Sequence, residues 1–187
     1  MIQIPFKQFI SAGHNNADSG AVAHGNKEAD VTKLIRDSIA RNSRSSEIIL
    51  DKDWENNRQY QSRIKPGNGS VVFDIHLNAA AKNTTSGIEA FINKKDFANS
   101  NSLSWKMANR FLKEYSTILG IPNRGVKGEN SSQHSRIGIL NLGAGISVLL
   151  EVDFITSTTA VGNIISKKDQ LGKVGAKILQ DFDDMIK

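Results

Sequence analysis

The sequence predicts an α/β fold: a three-layer α/β/α domain around a central mixed, mostly parallel, twisted sheet. Three observations carry that expectation. Apolar runs of strand length alternate with longer stretches of helical period. No internal repeat, low-complexity tract or interdomain linker breaks the alternation. The 187 residues, 39% of them hydrophobic, suit one domain, 1–187, with a proper core.

Phe6 to Ala12 reads as a buried strand that ends at Gly13-His14. Residues 15–26, rich in Asn, Gly and Ala, read as a loop. Lys27 to Asn42 has helical period, with Val31, Leu34, Ile35, Ser38 and Ile39 along one face. Glu47 to Leu50 is a short strand and Asp53 to Ile64 a helix, followed by the turn Pro66-Gly67-Asn68-Gly69. Ser70 to Leu77 is an apolar strand, and Ile88 to Ile92 is another. Ser102 to Leu119 carries Leu103, Met107, Phe111 and Tyr115 in helical register, and Gly120 and Pro122 stop it. Residues 123–145 hold five glycines and few apolar side chains, so they read as a long surface loop. Ile146 to Phe154 is a central strand, and the last helix runs from about Asp169 to Ile186. Alternating strands and helices of these lengths build layered α/β domains.

The net charge is +5 and the pI about 9.5, a bias toward polyanions such as nucleic acid, anionic membrane or anionic cell wall. The basic residues are scattered among acids, so the excess reads as a solvated surface, and no nucleic-acid partner is expected. There are no cysteines, which excludes disulfides and leaves His, Asp and Glu as the ligands for any zinc. No apolar run approaches a membrane span. Met1 to Lys7 lacks the basic start and long apolar stretch of a signal peptide and reads as the lead-in to the first strand.

Chemistry concentrates at the strand ends. His14, His76 and Glu151 fall at the carboxyl ends of three expected strands, and Glu28 falls in the first turn of the first long helix. Ligands of open α/β sheets bind beyond those strand ends. A first-turn carboxylate also suits the positive end of a helix dipole. Two histidines and a carboxylate can hold Zn²⁺ and leave a position for water, while a second carboxylate moves protons. Of the other histidines, His24 reads as a surface residue, and His134 lies in the Gly-rich loop, solvated or touching substrate. Asp74, two residues before His76, points to the same sheet face and reads as its acceptor or as a salt-bridge partner. Asn78 reads as a group that orients His76, a substrate contact or a strand-end turn residue.

Motif order and spacing add a resemblance. Phe9-Ile10-Ser11-Ala12-Gly13-His14, Asp18-Ser19-Gly20-Ala21, Lys27-Glu28, Phe73-Asp74-Ile75-His76-Leu77-Asn78-Ala79, Gly87-Ile88-Glu89, Arg124-Gly125-Val126-Lys127 and Leu149-Leu150-Glu151-Val152-Asp153-Phe154-Ile155 follow one another over nearly the whole chain. Together they resemble the zinc-dependent N-acetylmuramoyl-L-alanine amidases of the type-3 group, whose glutamate ligand stands fourteen residues after the first histidine, as Glu28 does here. Asp74 stands where that family has serine, Leu77 where it has alanine, and Asp153 where glycine is common. The family's Arg-x-x-x-Ala-Asn segment is not distinct; Arg58 and Arg63 are both candidates.

The resemblance implies a phosphorylase/hydrolase-like fold and one Zn²⁺ on His14, Glu28 and His76, with Glu151 catalytic. It implies peptidoglycan as partner and hydrolysis of the amide between the lactyl group of N-acetylmuramic acid and L-alanine, as in endolysins and autolysins. Arg124 and Lys127 read as binding an anionic stem peptide or as simply solvated. Action at the cell wall or periplasm follows, by cytoplasmic synthesis with lysis-dependent release or by export with a signal this chain lacks. The competing expectations are a zinc peptidase or amidohydrolase acting on another amide, and a non-catalytic wall-binding module.

Overall fold

The computed structural model describes residues 7–45 and 47–186. Phe6, where the first strand was expected to start, and most of the lead-in before it lie outside the described residues. Eight strands and five α-helices follow in the order β1 (Gln8–Ser11), β2 (Val22–Ala23), β3 (Asn26–Lys27), α1 (Glu28–Asn42), β4 (Ile48–Leu50), α2 (Asn57–Arg63), β5 (Val71–Asn78), β6 (Ile88–Ile92), α3 (Lys94–Phe97), α4 (Leu103–Leu119), β7 (Asn123–Gly128), β8 (Ile146–Phe154) and α5 (Ala160–Ile186).

Six strands form the main sheet in the order β4-β1-β5-β8-β6-β7. β4, β1, β5 and β8 run parallel, β6 is antiparallel to β8, and β7 is parallel to β6. The sheet is thus mixed and mostly parallel, as expected. Successive side chains of the strands alternate between two cores. Ile10, Phe73, Ile75, Val148, Leu150 and Val152 join Val31, Ile35, Met107, Phe111, Ile164 and Ile178 in the large core under α1, α4 and α5. Phe9, Val72, Phe91 and Leu149, on the other face, pack with Tyr60, Ile64, Ile139 and Leu140. That third layer is thin: α2 and the 3₁₀ turn Gly138–Asn141. A cleft can therefore open beside it, over the carboxyl ends of β5 and β8.

Four expectations about elements change. Residues 123–145 are not all loop: β7 occupies Asn123–Gly128, and two 3₁₀ turns, Glu129–Ser131 and Gly138–Asn141, follow it. The stretch 15–26 contains the β2–β3 hairpin and an Asn15–Asp18 bridge. The last helix starts at Ala160 rather than near Asp169, because Ala160, Val161 and Ile164 are buried against the core. The second helix shortens to Asn57–Arg63, since Asn56 caps it and exchanges hydrogen bonds with Gln59 in a capping box. On α1, Leu34 lies at the edge of the apolar face and is exposed.

Candidate metal and catalytic site

Register places the site. Asp74 and His76 are on the same face of β5, and His76 pairs with Glu151 on β8, which in turn pairs with Glu89 on β6. His76, Glu151 and Glu89 therefore stand side by side across three adjacent strands, facing the thin layer. His14 enters just after β1, and Glu28 opens α1.

Glu28 is the hub. Its Oε1 lies 3.3 Å from His14 Nε2 and 3.1 Å from His76 Nδ1. One ligand atom from each of His14, Glu28 and His76 lies within 4.8 Å of the other two. Two backbone amides hold the carboxylate: Leu77 N–H donates to Oε1 and Ala21 N–H to Oε2, both at 3.0 Å. The outer nitrogens of both rings meet carboxylates as well. His14 Nδ1 lies 3.1 Å from Asp18 Oδ2, and His76 Nε2 lies 3.1 Å from Asp74 Oδ2. Each carboxylate fixes its ring so that the other nitrogen faces the shared center.

Two glycines make room. A Cβ at Gly13 would fall 2.5 Å from His76 Cε1 and Nε2. A Cβ at Gly20 would fall 2.5 Å from His14 Cδ2 and 2.6 Å from Glu28 Oε2. Both residues also adopt positive φ, which a side chain would resist.

The charges fit a cation. Burial opposes the charge on Glu28, but the two histidines outweigh it and hold its pKa well below the usual glutamate value. Burial likewise opposes protonation of the rings. Glu28 outweighs it at His14, and Asp74 with Glu28 outweighs it at His76, so both imidazole pKa values are raised. A site that draws protons onto two partly buried rings is one where a divalent ion can replace them, since metal ligation displaces ligand protons.

Glu151 differs from Glu28. Its Oε2 is buried and accepts no hydrogen bond among the described residues. Burial, with Glu28, Glu89 and Asp74 adding to it against the pull of His76, raises its pKa to about 7. A carboxylate so placed can exchange a proton near neutrality.

The remaining candidates divide. Asp74 meets His76 and also accepts Ser11 Oγ–H at 2.5 Å, from the neighbouring strand. Asn78 does not orient His76; its Nδ2 donates to Glu89 Oε1 at 2.9 Å. Arg124 and Lys127 reach Glu89 rather than the histidines. His134 is exposed on the loop that borders the cleft. The His24 ring meets the Thr156 carbonyl at 2.9 Å, which pins the β2–β3 hairpin beside the strand end. Two residues with evident roles carried none in the sequence reading: Asp18, four residues after His14, and Glu89, a lone acid within an apolar strand. The second is the more legible signal, because a carboxylate there requires a partner.

His14, Glu28, His76 and Glu151, with Asp18, Asp74, Glu89, Arg124 and Lys127, line one cleft of about 820 Å³. Its size suits a peptide or saccharide segment rather than a small ion alone.

A family model described as N-acetylmuramoyl-L-alanine amidase matches residues 9–181. No curated protein shows a significant sequence match. Among solved structures, an N-acetylmuramoyl-L-alanine amidase of Clostridium difficile 630 superposes with a TM-score of 0.75 at 21% identity, covering 96% of this chain and 97% of that one. A putative N-acetylmuramoyl-L-alanine amidase of Neisseria meningitidis gives 0.73 at 25% identity, covering 94% of each chain. One from Nostoc punctiforme gives 0.72 at 18% identity, covering 95% of this chain and 96% of its own. With the match spanning almost every element of the sheet and its helices, the chain belongs to the N-acetylmuramoyl-L-alanine amidase family and is a hydrolase of peptidoglycan.

Proposed function

We propose that residues 1–187 form one zinc amidase domain in which His14, Glu28 and His76 hold a single Zn²⁺ and Glu151 is the catalytic acid–base. The bond cut is the amide between the lactyl group of N-acetylmuramic acid and L-alanine. The observation that carries the reading is the convergence of His14 Nε2 and His76 Nδ1 on Glu28 Oε1, with a carboxylate behind each ring.

Zn²⁺ on such ligands supplies Lewis acidity, polarising a carbonyl and lowering the pKa of water toward about 7. The residues supply the rest. Asp18 and Asp74 keep the rings in the tautomer that turns His14 Nε2 and His76 Nδ1 inward. The amides of Ala21 and Leu77 hold Glu28 in place. Glu151 in its ionised form takes a proton from the attacking water. The same carboxyl then returns the proton to the leaving L-alanine nitrogen, as a group with a pKa near 7 can. The products are a glycan bearing a free lactyl carboxylate and a stem peptide with a free L-alanine amine. Action on this polymer places the enzyme at the cell wall or periplasm.

Digestion of purified peptidoglycan, followed by mass spectrometry, tests the reading. New L-alanine amino termini should appear, vanish with chelator and return with Zn²⁺. Fragments cut only between sugars or within stems would overturn it.

A further inference from the structure

One wall of the cleft carries charge that the hydrolytic step does not use. Glu89 is buried on β6, and its Oε2 accepts from Arg124 Nε at 2.7 Å and from Lys127 Nζ at 2.6 Å. A buried carboxylate calls for one counter-charge. Here two cations meet a single oxygen, and both side chains stay about one-third exposed, at 38% and 33%, while lining the cleft. Among the described residues neither is bonded to Glu151.

Arg124 is held in three ways. Its methylene stem lies across Gly87, where a Cβ would come within 2.7 Å of Cδ. Its Nε is engaged by Glu89. Its guanidinium carbon sits 5.0 Å from the center of the Phe154 ring. The two terminal amino groups, Nη1 and Nη2, make no hydrogen bond among the described residues. A planar guanidinium fixed along one edge presents paired donors, the geometry that recognises a carboxylate.

Distance agrees with a stem peptide. β7 lies two strands from β8, roughly 10 Å at about 4.8 Å per strand, and the arginine reaches part of the way back. An extended peptide advances about 3.5 Å per residue, so a group two residues past the scissile carbonyl spans the remainder.

We propose that Arg124, braced by Glu89 and supported by Lys127, binds the free α-carboxylate of the stem residue that follows L-alanine. The site thereby selects stems in which that group is a carboxylate over stems in which it is a carboxamide. This inference rests on the amidase reading.

Two synthetic muramoyl peptides, identical except for carboxylate or carboxamide at that position, test it. Zinc-loaded wild-type protein should cut the carboxylate form with a kcat/KM about tenfold higher, mostly through KM. Arg124→Gln should abolish the preference, and Lys127→Met should reduce it. Binding of both peptides to Glu151→Ala protein, measured by calorimetry, reads the site without turnover. Tighter binding of the carboxylate form there supports the proposal even if wild-type protein cuts neither peptide, an outcome that would count against the amidase reading alone. Equal affinity for the two peptides, or a preference that survives Arg124→Gln, overturns it.

Discussion

His76 Nε2 faces Asp74 Oδ2 at 3.1 Å from two residues away on the same face of β5, so the imidazole turns its Nδ1 toward Glu28. Ser11 Oγ–H bonds the other Asp74 oxygen at 2.5 Å, which ties the pair to β1. Carboxylates behind ligand histidines set ring orientation and basicity, and their loss typically weakens metal binding about 10- to 100-fold. Asp74→Ala should therefore lower zinc affinity by that range, measured by competition with a chromophoric chelator. An unchanged affinity in a folded Asp74→Ala protein would show that the ring is oriented some other way.

Glu151→Gln should keep its zinc and lose about 10²- to 10⁴-fold in kcat, the usual range for a general acid–base group. Metal content and the release of L-alanine amino termini measure the two effects separately. The wild-type rate should fall on the acid side, where Glu151 takes up a proton and no longer accepts one from water. A bound cation favours the ionised form and moves that limb lower. The limb should be missing from whatever activity Glu151→Gln retains.

Gly20 and Gly25 offer a matched pair. Both have positive φ, +63° and +76°, but only Gly20 has His14 and Glu28 where a Cβ would go, while Gly25 has nothing within 4 Å. Each alanine variant should lose about 1–2 kcal/mol from the left-handed backbone conformation. Only Gly20→Ala should also lose zinc affinity. Calorimetric melting with zinc titration separates the two terms, and equal zinc affinity in both variants would refute the close contact.

The loop after β7 has a buried anchor. Glu129 accepts hydrogen bonds from Ile137 N–H at 2.8 Å, Asn141 Nδ2 at 2.7 Å and, more weakly, Lys94 N–H at 3.4 Å. Glu129→Ala removes the acceptor shared by these partly exposed donors, at about 0.5–1.5 kcal/mol each. Trypsin should then cut faster at Arg136, and KM should rise while zinc affinity stays level. Unchanged cleavage at Arg136 would mean that the loop holds without this residue.

Acid should weaken the β6–β7 wall. Burial opposes the charge on Glu89, but Arg124 and Lys127 outweigh it and lower its pKa below the usual glutamate value. A depressed folded-state pKa contributes stability that is full above the unfolded value near 4.5 and is lost as pH falls through the folded one. Urea midpoints between pH 6 and about 3 should fall less steeply for Glu89→Gln than for wild type. Parallel curves would contradict the linkage.

Much of this was legible in the chain. β6 and β8 match their apolar runs residue for residue, because strands buried on both faces read as continuous hydrophobic segments. α4 was bounded by its punctuation: Ser102 accepts the Trp105 amide at the start, and Gly120 closes the end. His14, Glu28, His76 and Glu151 stand out in the sequence by their placement at strand and helix ends.

β7 was not legible. Asn123-Arg124-Gly125-Val126-Lys127-Gly128 has no strand pattern of its own, and its conformation comes from pairing with β6 at the sheet edge. The early start of α5 was hidden for a similar reason. Gly162 and Asn163 weaken local helix propensity, and only packing of Val161 and Ile164 against the core offsets that.

The sequence by itself determined the α/β layering, the strand-end placement of the four polar residues and the chemistry they can perform, because periodicity and residue type are local properties. Tertiary structure alone decided how they are wired. That Glu28 meets both rings, that Asn78 turns to Glu89 instead of His76, and that Arg124 and Lys127 share one buried carboxylate all depend on sheet order and register. Those are set by long-range packing between segments the chain keeps far apart.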